Sequence, residues 1–184
     1  MVKKEINFRL FYKVTYALLI VLYLNGISSA LSIEVYFSPK GGCENRIVEL
    51  IDAAQSSIDI AMYTFTNSKI ARALVKAHER GVKIRVLLDG QERQNRYSKG
   101  VFLEKRGIFV AYDRMPGLMH NKFCIIDDSI VITGSYNWTA TAEEKNEENL
   151  LVIHDVDIAK TYKNRFEYLL KINVPWWIRI LKRP

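Results

Sequence analysis

The sequence predicts an α/β fold, a layered α/β/α sandwich in which helices cover both faces of a central mixed β-sheet. Segments with strand periodicity alternate with segments of helical periodicity from residue 32 onward. The segment VKIRVLLD (82–89) is mostly apolar, as expected for a strand inside a buried sheet. The chain has 184 residues, and residues 31–184 suffice for one domain with a sizeable core and hardly for two. We therefore predict a single domain over 31–184.

The strands are predicted from alternation, apolar content and the turns between them. The first, SIEVYF, alternates apolar and polar residues, and SPKGG then turns the chain. The segment MHNKFCIIDDSIVITGSYNWT (119–139) is typical of a hairpin, with a turn at Asp127 and Asp128. In chain order the predicted strands are 32–37, 57–65, 82–89, 108–112, the two strands of this hairpin, and 149–154.

The helices are predicted between these strands. Apolar residues recur at helical spacing in 44–55, and Asn67 can cap a second helix that stops at Gly81. A short helix is expected around 102–106, and a final one over about 157–172. The remaining polar segments, 90–100, 113–118 and 141–148, are interpreted as loops.

Residues 1–30 have the character of a secretory signal peptide. A basic stretch precedes the uncharged run 14–24, and the small residues Ser28 and Ala30 suit cleavage after Ala30. The run is shorter than the ~20 residues that a membrane span needs. We therefore predict export to the periplasm or the medium. The alternative is an uncleaved membrane anchor formed by residues 10–25.

The formal net charge is +7, and part of this excess lies in the predicted signal. Residues 1–30 hold four basic residues and one acidic residue; removing them from totals of 27 and 20 leaves 23 and 19. Residues 31–184 thus carry +4, a mild bias toward anionic partners.

The cysteines and histidines do not follow a metal-binding pattern. Cys124 lies in an apolar strand and is interpreted as a buried thiol; export would permit a disulfide with Cys43, but the sequence does not establish one. There is no CxxC pair, and His78, His120 and His154 are scattered. We expect neither a metal nor a cofactor.

Polar residues of the 119–139 hairpin indicate chemistry on an anion. His120 and Lys122 lie on the first predicted strand and share one of its faces, about 6.7 Å apart along it. Ser135 and Asn137 repeat this spacing after Gly134, which lets backbone or substrate come close. An ammonium, a hydroxyl and a carboxamide suit the oxygens of a phosphodiester, because preplaced donors stabilise charge in phosphoryl transfer. The histidine is then available to attack phosphorus or to protonate a leaving group.

The segment HNKFCIIDDSIVITGSYN (120–137), with the spacing HxKx4D followed by GSxN, resembles the HKD motif of the phospholipase D superfamily. Residues 38–74 are similar to the N-terminal half of small bacterial members, and NEENLLVI (146–153) resembles their downstream acidic segment. The resemblance covers nearly all of 31–184. It indicates the branch of short, exported, single-motif endonucleases, to which the mitochondrial protein Zucchini is related.

The resemblance implies a phospholipase D-like fold, no metal, and a role for each motif residue. His120 would be the nucleophile and form a covalent phosphohistidine. Glu148 would hold an imidazole in orientation, as carboxylates do in other catalytic triads. Asp127 falls on the far face by strand parity and would support the catalytic residues through hydrogen bonds. The residues implied to bind the phosphate are Lys122, Ser135 and Asn137.

The implied chemistry also needs a second histidine, which protonates the leaving oxygen and later activates water. Neither His78, in a helix, nor His154, at the end of a strand with no lysine at the motif spacing, fits this role. A twofold homodimer would bring two copies of His120 to one shared site, where they would titrate as a coupled pair. The mechanism therefore predicts an obligatory homodimer.

The residues that indicate the substrate form a less specific pattern than those that indicate the chemistry. Arg93, Arg96 and Lys99 could line a groove that follows a nucleic-acid backbone, or they could belong to a solvated loop. We expect a nonspecific, metal-independent endonuclease acting on DNA or RNA.

Two alternatives remain. A phospholipase D acting on phospholipid headgroups is one, and Trp176 and Trp177 in the basic tail would suit a membrane interface if they do not dock on the protein or a subunit partner. The other is an inactive module that binds nucleic acid or membrane. The intact set of catalytic residues argues against this last alternative.

Overall fold

The computed structural model describes residues 31–175 of the chain. The predicted signal peptide or anchor, residues 1–30, and the tail with Trp176 and Trp177 lie outside the described residues. The seven strands are β1 (Ser32–Ser38), β2 (Ser57–Met62), β3 (Lys83–Leu88), β4 (Phe109–Tyr112), β5 (Lys122–Ile126), β6 (Ile130–Gly134) and β7 (Glu148–His154). They form one mixed sheet in the order β1-β7-β6-β5-β2-β3-β4.

Helices cover both faces of this sheet. They are α1 (Cys43–Ala53), α2 (Ser68–Glu79), α3 (Gly100–Glu104), α4 (Ala140–Glu144) and α5 (Val156–Asn173), with a 3₁₀ turn at Gly90–Arg93. Helices α1 to α4 contribute to one apolar core, and α5 contributes to the core on the opposite face. The predicted α/β/α sandwich with a central mixed sheet is confirmed. None of the helices within residues 31–175 has both the length and the hydropathy needed to cross a membrane.

The mixed character of the sheet follows from the connections. Crossovers through α2 and α3 make β2, β3 and β4 parallel. The tight β5–β6 turn and the β6–β7 connection through α4 make these neighbours antiparallel, and β5 also runs antiparallel to β2. Strand β5 thus lies between β2 and β6 and is hydrogen-bonded on both sides.

Alternation along β5 assigns its side chains to the two cores. Cys124 and Ile126 pack under α1 and α2, whereas Phe123 and Ile125 pack under α5, as the sequence pattern predicts. Cys124 and Cys43 are both buried and free, so no disulfide joins them. Burial raises the pKa of the Cys43 thiol to about 11.

A buried ion cluster joins α5 to the sheet. Asp59 is 2% exposed, and its carboxylate accepts hydrogen bonds at 2.7 and 2.8 Å from Arg85 on the neighbouring strand. Lys163 of α5 lies 2.6 Å from the same carboxylate, and Glu167, one turn further, pairs with Arg85 at 2.7 Å. Because each buried charge has a partner, the cluster fixes α5 against β2 and β3.

Strand β2 and the segment 141–148 differ from their predicted forms, and several other boundaries shift by one or two residues. Strand β2 ends at Met62 rather than at residue 65, because the next backbone groups bond to loops: the N–H of Tyr63 donates to Asn121 O at 2.9 Å. The predicted loop 141–148 instead contains α4. The Thr139 hydroxyl caps this helix by accepting from the N–H of Ala142 at 3.0 Å, a signal that short sequence patterns carry weakly.

Candidate active site

Four strands bring the predicted polar residues to one edge of the sheet. Met62, the last residue of β2, pairs with Lys122, the first residue of β5. Gly134 ends β6 at the same level, and Glu148 begins β7 beside it. We call this edge, marked by Met62, Lys122, Gly134 and Glu148, the site edge.

His120 and Lys122 lie together at the site edge, although His120 precedes β5 rather than lying on it. The Lys122 ammonium is 3.3 Å from each ring nitrogen of His120 and donates to the His120 carbonyl at 3.0 Å. The His120 side chain is exposed, so a ligand can approach it from solvent. The sequence therefore predicts the proximity of the two residues, while the structure shows that the histidine belongs to a loop.

Tyr63, which lies outside the motif segment 119–139, contacts both of these residues. Its ring centroid lies 4.4 Å from that of His120, with 53° between the ring planes. The Lys122 ammonium lies 4.9 Å from the same centroid, within the range of a cation–π interaction. The ring thus limits the positions of the imidazole and the ammonium. The signal available in the sequence is that Tyr63 directly follows a strand that ends at the site edge.

The Lys122 ammonium interacts electrostatically with Glu148, the first residue of β7. Burial lowers the pKa of Lys122, and the negative charge of Glu148 opposes part of that decrease. The carboxylate therefore acts on the ammonium across the end of β6. This places a cation, a carboxylate and an imidazole in one polar cluster at the site edge.

Ser135 and Glu148 form a hydrogen-bonded pair. The Ser135 hydroxyl donates to the Glu148 carboxylate and accepts from the N–H of Asn149 at 3.1 Å. The other Glu148 oxygen accepts from the Asn146 side chain at 3.0 Å. Within residues 31–175, Glu148 makes no hydrogen bond to a histidine, so the implied pairing with an imidazole is not formed inside one chain. The Ser135 hydroxyl could donate a hydrogen bond to a phosphate only if it stopped donating to Glu148.

Asn137 lies beside this cluster with an unused amide oxygen. Its Oδ1 is buried and has no hydrogen-bond partner among the described residues. Its neighbour Trp138 is 1% exposed, and the backbone of Trp138 bonds to residues 64, 66 and 67. The position of Asn137 is therefore fixed by its neighbour, and its amide oxygen is a buried acceptor without a partner among the described residues.

Asp127 does not join the cluster, because it lies at the opposite end of β5. Its carboxylate accepts from the N–H groups of Gln55, Ser56 and Ser57 at 2.9, 2.7 and 3.0 Å, and from the Ser56 hydroxyl at 2.8 Å. These hydrogen bonds lower the pKa of Asp127, although partial burial acts in the opposite direction. Asp127 thus holds the loop before β2 in place.

The predicted groove residues are separated in the structure. The Arg93 guanidinium lies over the ring of Tyr112, 5.6 Å from its centroid, and that of Arg96 lies over its neighbour Tyr97. Lys99 instead lines a groove between α2 and α3. The three cations thus have different immediate neighbours in the structure.

The other two histidines lie away from the site edge. His154 ends β7 at the opposite edge, and its Nε2 is 2.9 Å from the Glu34 carboxylate. His78 lies in the last turn of α2, about 15 Å along the helix axis from the first residue, Ser68. Within residues 31–175 no three His, Cys, Asp or Glu side chains are grouped as metal ligands would be.

Buried carboxylates that also lie outside the motif segment orient the loops at the site edge. Asp89, 2% exposed, accepts from the N–H of Met119 at 2.9 Å, directly before His120. Glu92, 5% exposed, accepts from the N–H of Phe65 at 3.2 Å. Both fix backbone that carries a site residue.

A family model and several known proteins match about two thirds of the chain. Residues 47–170 match the model of the family described as cardiolipin synthase, PLD-like domain. A phospholipase D of Rickettsia conorii is 42% identical over 126 residues, which are 68% of this chain and 63% of that protein. A mitochondrial cardiolipin hydrolase of Xenopus tropicalis is 38% identical over 125 residues, 68% of this chain and 60% of that protein. The chain thus covers less than two thirds of the length of these relatives.

Two solved structures are similar over nearly their whole length. Nuc from Salmonella typhimurium, a phospholipase D family member, superposes with a TM-score of 0.73 at 32% identity, covering 77% of this chain and 95% of Nuc. NucT from Helicobacter pylori gives a TM-score of 0.73 at 28% identity, covering 79% of this chain and 99% of NucT.

Substitutions of Tyr63 distinguish the contribution of its ring to catalysis from that of its hydroxyl group. We expect Tyr63→Phe to keep the kcat for hydrolysis of bis(p-nitrophenyl) phosphate within a factor of about three, because the ring contacts remain. Tyr63→Ala is expected to lower kcat about tenfold or more, because His120 and Lys122 lose the surface that positions them. Equal rates for the alanine and phenylalanine variants would contradict this role.

Replacing Asp127 tests its structural role. Asp127→Asn is expected to lower the free energy of unfolding at pH 7 by about 1–3 kcal/mol, because an amide cannot accept all four hydrogen bonds. The folded-state pKa of Asp127 is depressed, so its stabilising effect is present above the unfolded pKa and is lost as pH falls through the folded value. Urea unfolding at several pH values should therefore show the two proteins converging in acid. The exposed Asp52→Asn is the matched control, and a destabilisation that does not change with pH would rule out this explanation.

Proposed function

Since the chain belongs to the phospholipase D-like family, whose model matches residues 47–170, we propose that it is a phosphodiester hydrolase that cleaves nucleic acid internally. The observation that carries the chemistry is the contact of His120 with Lys122 at the site edge, beside Glu148 and Asn137. These groups supply a nucleophile, a cation and a hydrogen-bonding amide from the protein's own side chains.

The proposed reaction proceeds in two displacements. A ring nitrogen of His120 attacks phosphorus, a P–N bond forms, and the P–O bond to the leaving oxygen breaks. A second, protonated imidazole gives its proton to that oxygen. The same imidazole, now neutral, takes a proton from water as the water oxygen attacks phosphorus and the P–N bond breaks.

The remaining residues stabilise the charge on the transferred phosphoryl group. Lys122 lies beside His120, where its ammonium can neutralise a non-bridging oxygen. Asn137 can donate its amide N–H to another oxygen. Ser135 holds Glu148, whose carboxylate is then positioned for the imidazole of a second chain.

We propose a homodimer as the active form, because one chain supplies one suitable histidine. The other two, His78 and His154, lie away from the site edge, and the chain has three in all. A twofold axis beside His120 would bring a second imidazole into the same site. Export, proposed from the signal-like residues 1–30, would place this dimer outside the cytoplasm.

The net charge supports nucleic acid as the substrate. Residues 31–184 carry a net charge of +4, which favours a polyanion.

Phospholipid is the second candidate substrate, and an exposed apolar stripe favours it. Ile33, Val35 and Phe37 on the edge strand β1 are 48, 54 and 63% exposed, and Phe37 lies next to Ser38, which pairs with Glu148. An apolar surface beside the site edge would suit a membrane interface. Relatives named phospholipase D and cardiolipin hydrolase agree with this alternative.

Cleavage in the presence of EDTA tests the proposed chemistry and substrate. We expect the protein to cut plasmid DNA and a single-stranded oligonucleotide in excess EDTA, and His120→Ala to lower the rate by at least about 1,000-fold, roughly the decrease when a nucleophile is removed. A folded protein that cuts no nucleic acid but hydrolyses phospholipid in vesicles would support the second candidate. Binding of nucleic acid without turnover of any phosphodiester would indicate an inactive module.

Mixing wild-type and His120→Ala chains tests the shared site. After joint unfolding and refolding with a ninefold excess of the variant, we expect activity per wild-type chain to fall about tenfold, because few dimers hold two wild-type chains. The control is the same mixture with Lys160→Ala, whose exposed side chain lies on α5, under the other face of the sheet. Activity per wild-type chain that stays constant at every ratio would exclude a site built from two copies of His120.

A further inference from the structure

A groove of about 340 Å3 lies between α2 and α3, outside the residues of the site edge. Its lining includes four basic side chains and one carboxylate: Arg72, Lys76, Lys99, Arg106 and Glu79. Within residues 31–175, none of the four cations forms a salt bridge. The groove is therefore a concave surface with an excess of positive charge, and none of its four cations is held in a salt bridge within the described part of the chain.

The groove also has an apolar floor. Ala71 and Val75 of α2 face Phe102 of α3 across it. The Arg106 guanidinium covers the Phe102 ring at 3.6 Å from its centroid and donates to the Phe102 carbonyl at 3.1 Å. A planar guanidinium backed by an aromatic ring is a surface on which a nucleic-acid base can stack.

The cations are spaced along the groove rather than clustered at one point. Arg72 and Lys76 are one helical turn apart on α2, about 6 Å along its axis. Lys99 and Arg106 line the opposite wall, at the two ends of α3. Because basic side chains lie on both walls and at both ends of α3, they can contact successive phosphates of one chain.

One end of the groove is connected to the site edge through short backbone links. The N–H of Lys99 donates to Phe65 O at 2.8 Å, two residues after Tyr63. The N–H of Asn67, the cap of α2, donates to Trp138 O at 2.9 Å, next to Asn137. The groove therefore begins near the two segments that carry Tyr63 and Asn137, and it leads away from them along α2.

We propose that this groove binds the sugar-phosphate backbone of a single-stranded nucleic acid, on one side of the phosphodiester that is cleaved at the site edge. The inference rests on the proposed nuclease function and extends it to single strands. Unstacked bases can reach the Phe102–Arg106 surface, whereas paired bases of a duplex cannot. The groove would thereby add affinity for the flanking strand without reading its sequence.

The test compares a long and a short phosphodiester. Arg72→Ala combined with Lys76→Ala is assayed on an oligonucleotide of about 20 nucleotides, longer than the ~4–16 that one binding domain typically covers, and on bis(p-nitrophenyl) phosphate, which is too short to span the groove and the site edge together. We expect kcat/KM for the oligonucleotide to fall about tenfold or more relative to kcat/KM for the small ester. The matched control, Lys160→Ala with Lys171→Ala, removes the same charge from exposed positions on α5.

Binding is measured separately, by fluorescence anisotropy of the labelled oligonucleotide on the His120→Ala background. The double variant should weaken binding and reduce the dependence of log Kd on log salt by about 1.4, at ~0.7 for each phosphate of a single strand that the protein no longer neutralises. Oligonucleotide kcat/KM and affinity equal to those of the control pair would overturn the groove assignment while leaving the nuclease function intact.

Failure of the nuclease function would give a different result. A wild-type protein that turns over the small ester but neither cuts nor binds the oligonucleotide would overturn both proposals. If the same double variant then bound vesicles containing anionic phospholipid more weakly than the wild type, the groove would be a lipid-headgroup site instead.

Discussion

The register of β5 between its two antiparallel neighbours is the constraint on which the site depends. Lys122 is the first residue of this strand and pairs with Met62 of β2. A slip of one residue would turn its side chain toward the other face of the sheet, because side chains alternate between the two faces. At the other end, Asp127 and Asp128 both have φ near 51°, and Asp127 holds residues 55–57. The turn chemistry at one end thus sets the position of the ammonium at the other.

Carboxylates at the site edge act mainly on backbone and neutral donors. Asp89 fixes the segment before His120, Glu92 fixes the segment after Tyr63, and Glu148 holds Ser135. Charged acceptors form strong hydrogen bonds with N–H and O–H groups, so loops that would otherwise move are held in one conformation. This leaves Lys122, beside His120, as a cation that a phosphate can approach.

The distribution of charge divides the surface by function. The Asp59 cluster, under α5, pairs its cations with carboxylates and stabilises the packing of that helix. On the opposite face, the cations of the groove between α2 and α3 have no such partners among the described residues. Paired cations hold elements together, whereas the unpaired ones remain available to an anionic ligand.

The sequence by itself determined the fold class, the succession of strands along the chain and the motif residues, because these follow from periodicity and spacing within short segments. It also determined that three histidines are present, which limits any mechanism that needs two in one site. Only the tertiary structure decided that Tyr63 contacts His120, that Ser135 binds Glu148, and that Lys99 lines a groove with Arg72 and Lys76. These contacts join segments far apart in the chain, and loop directions set by packing, rather than by local pattern, bring them together.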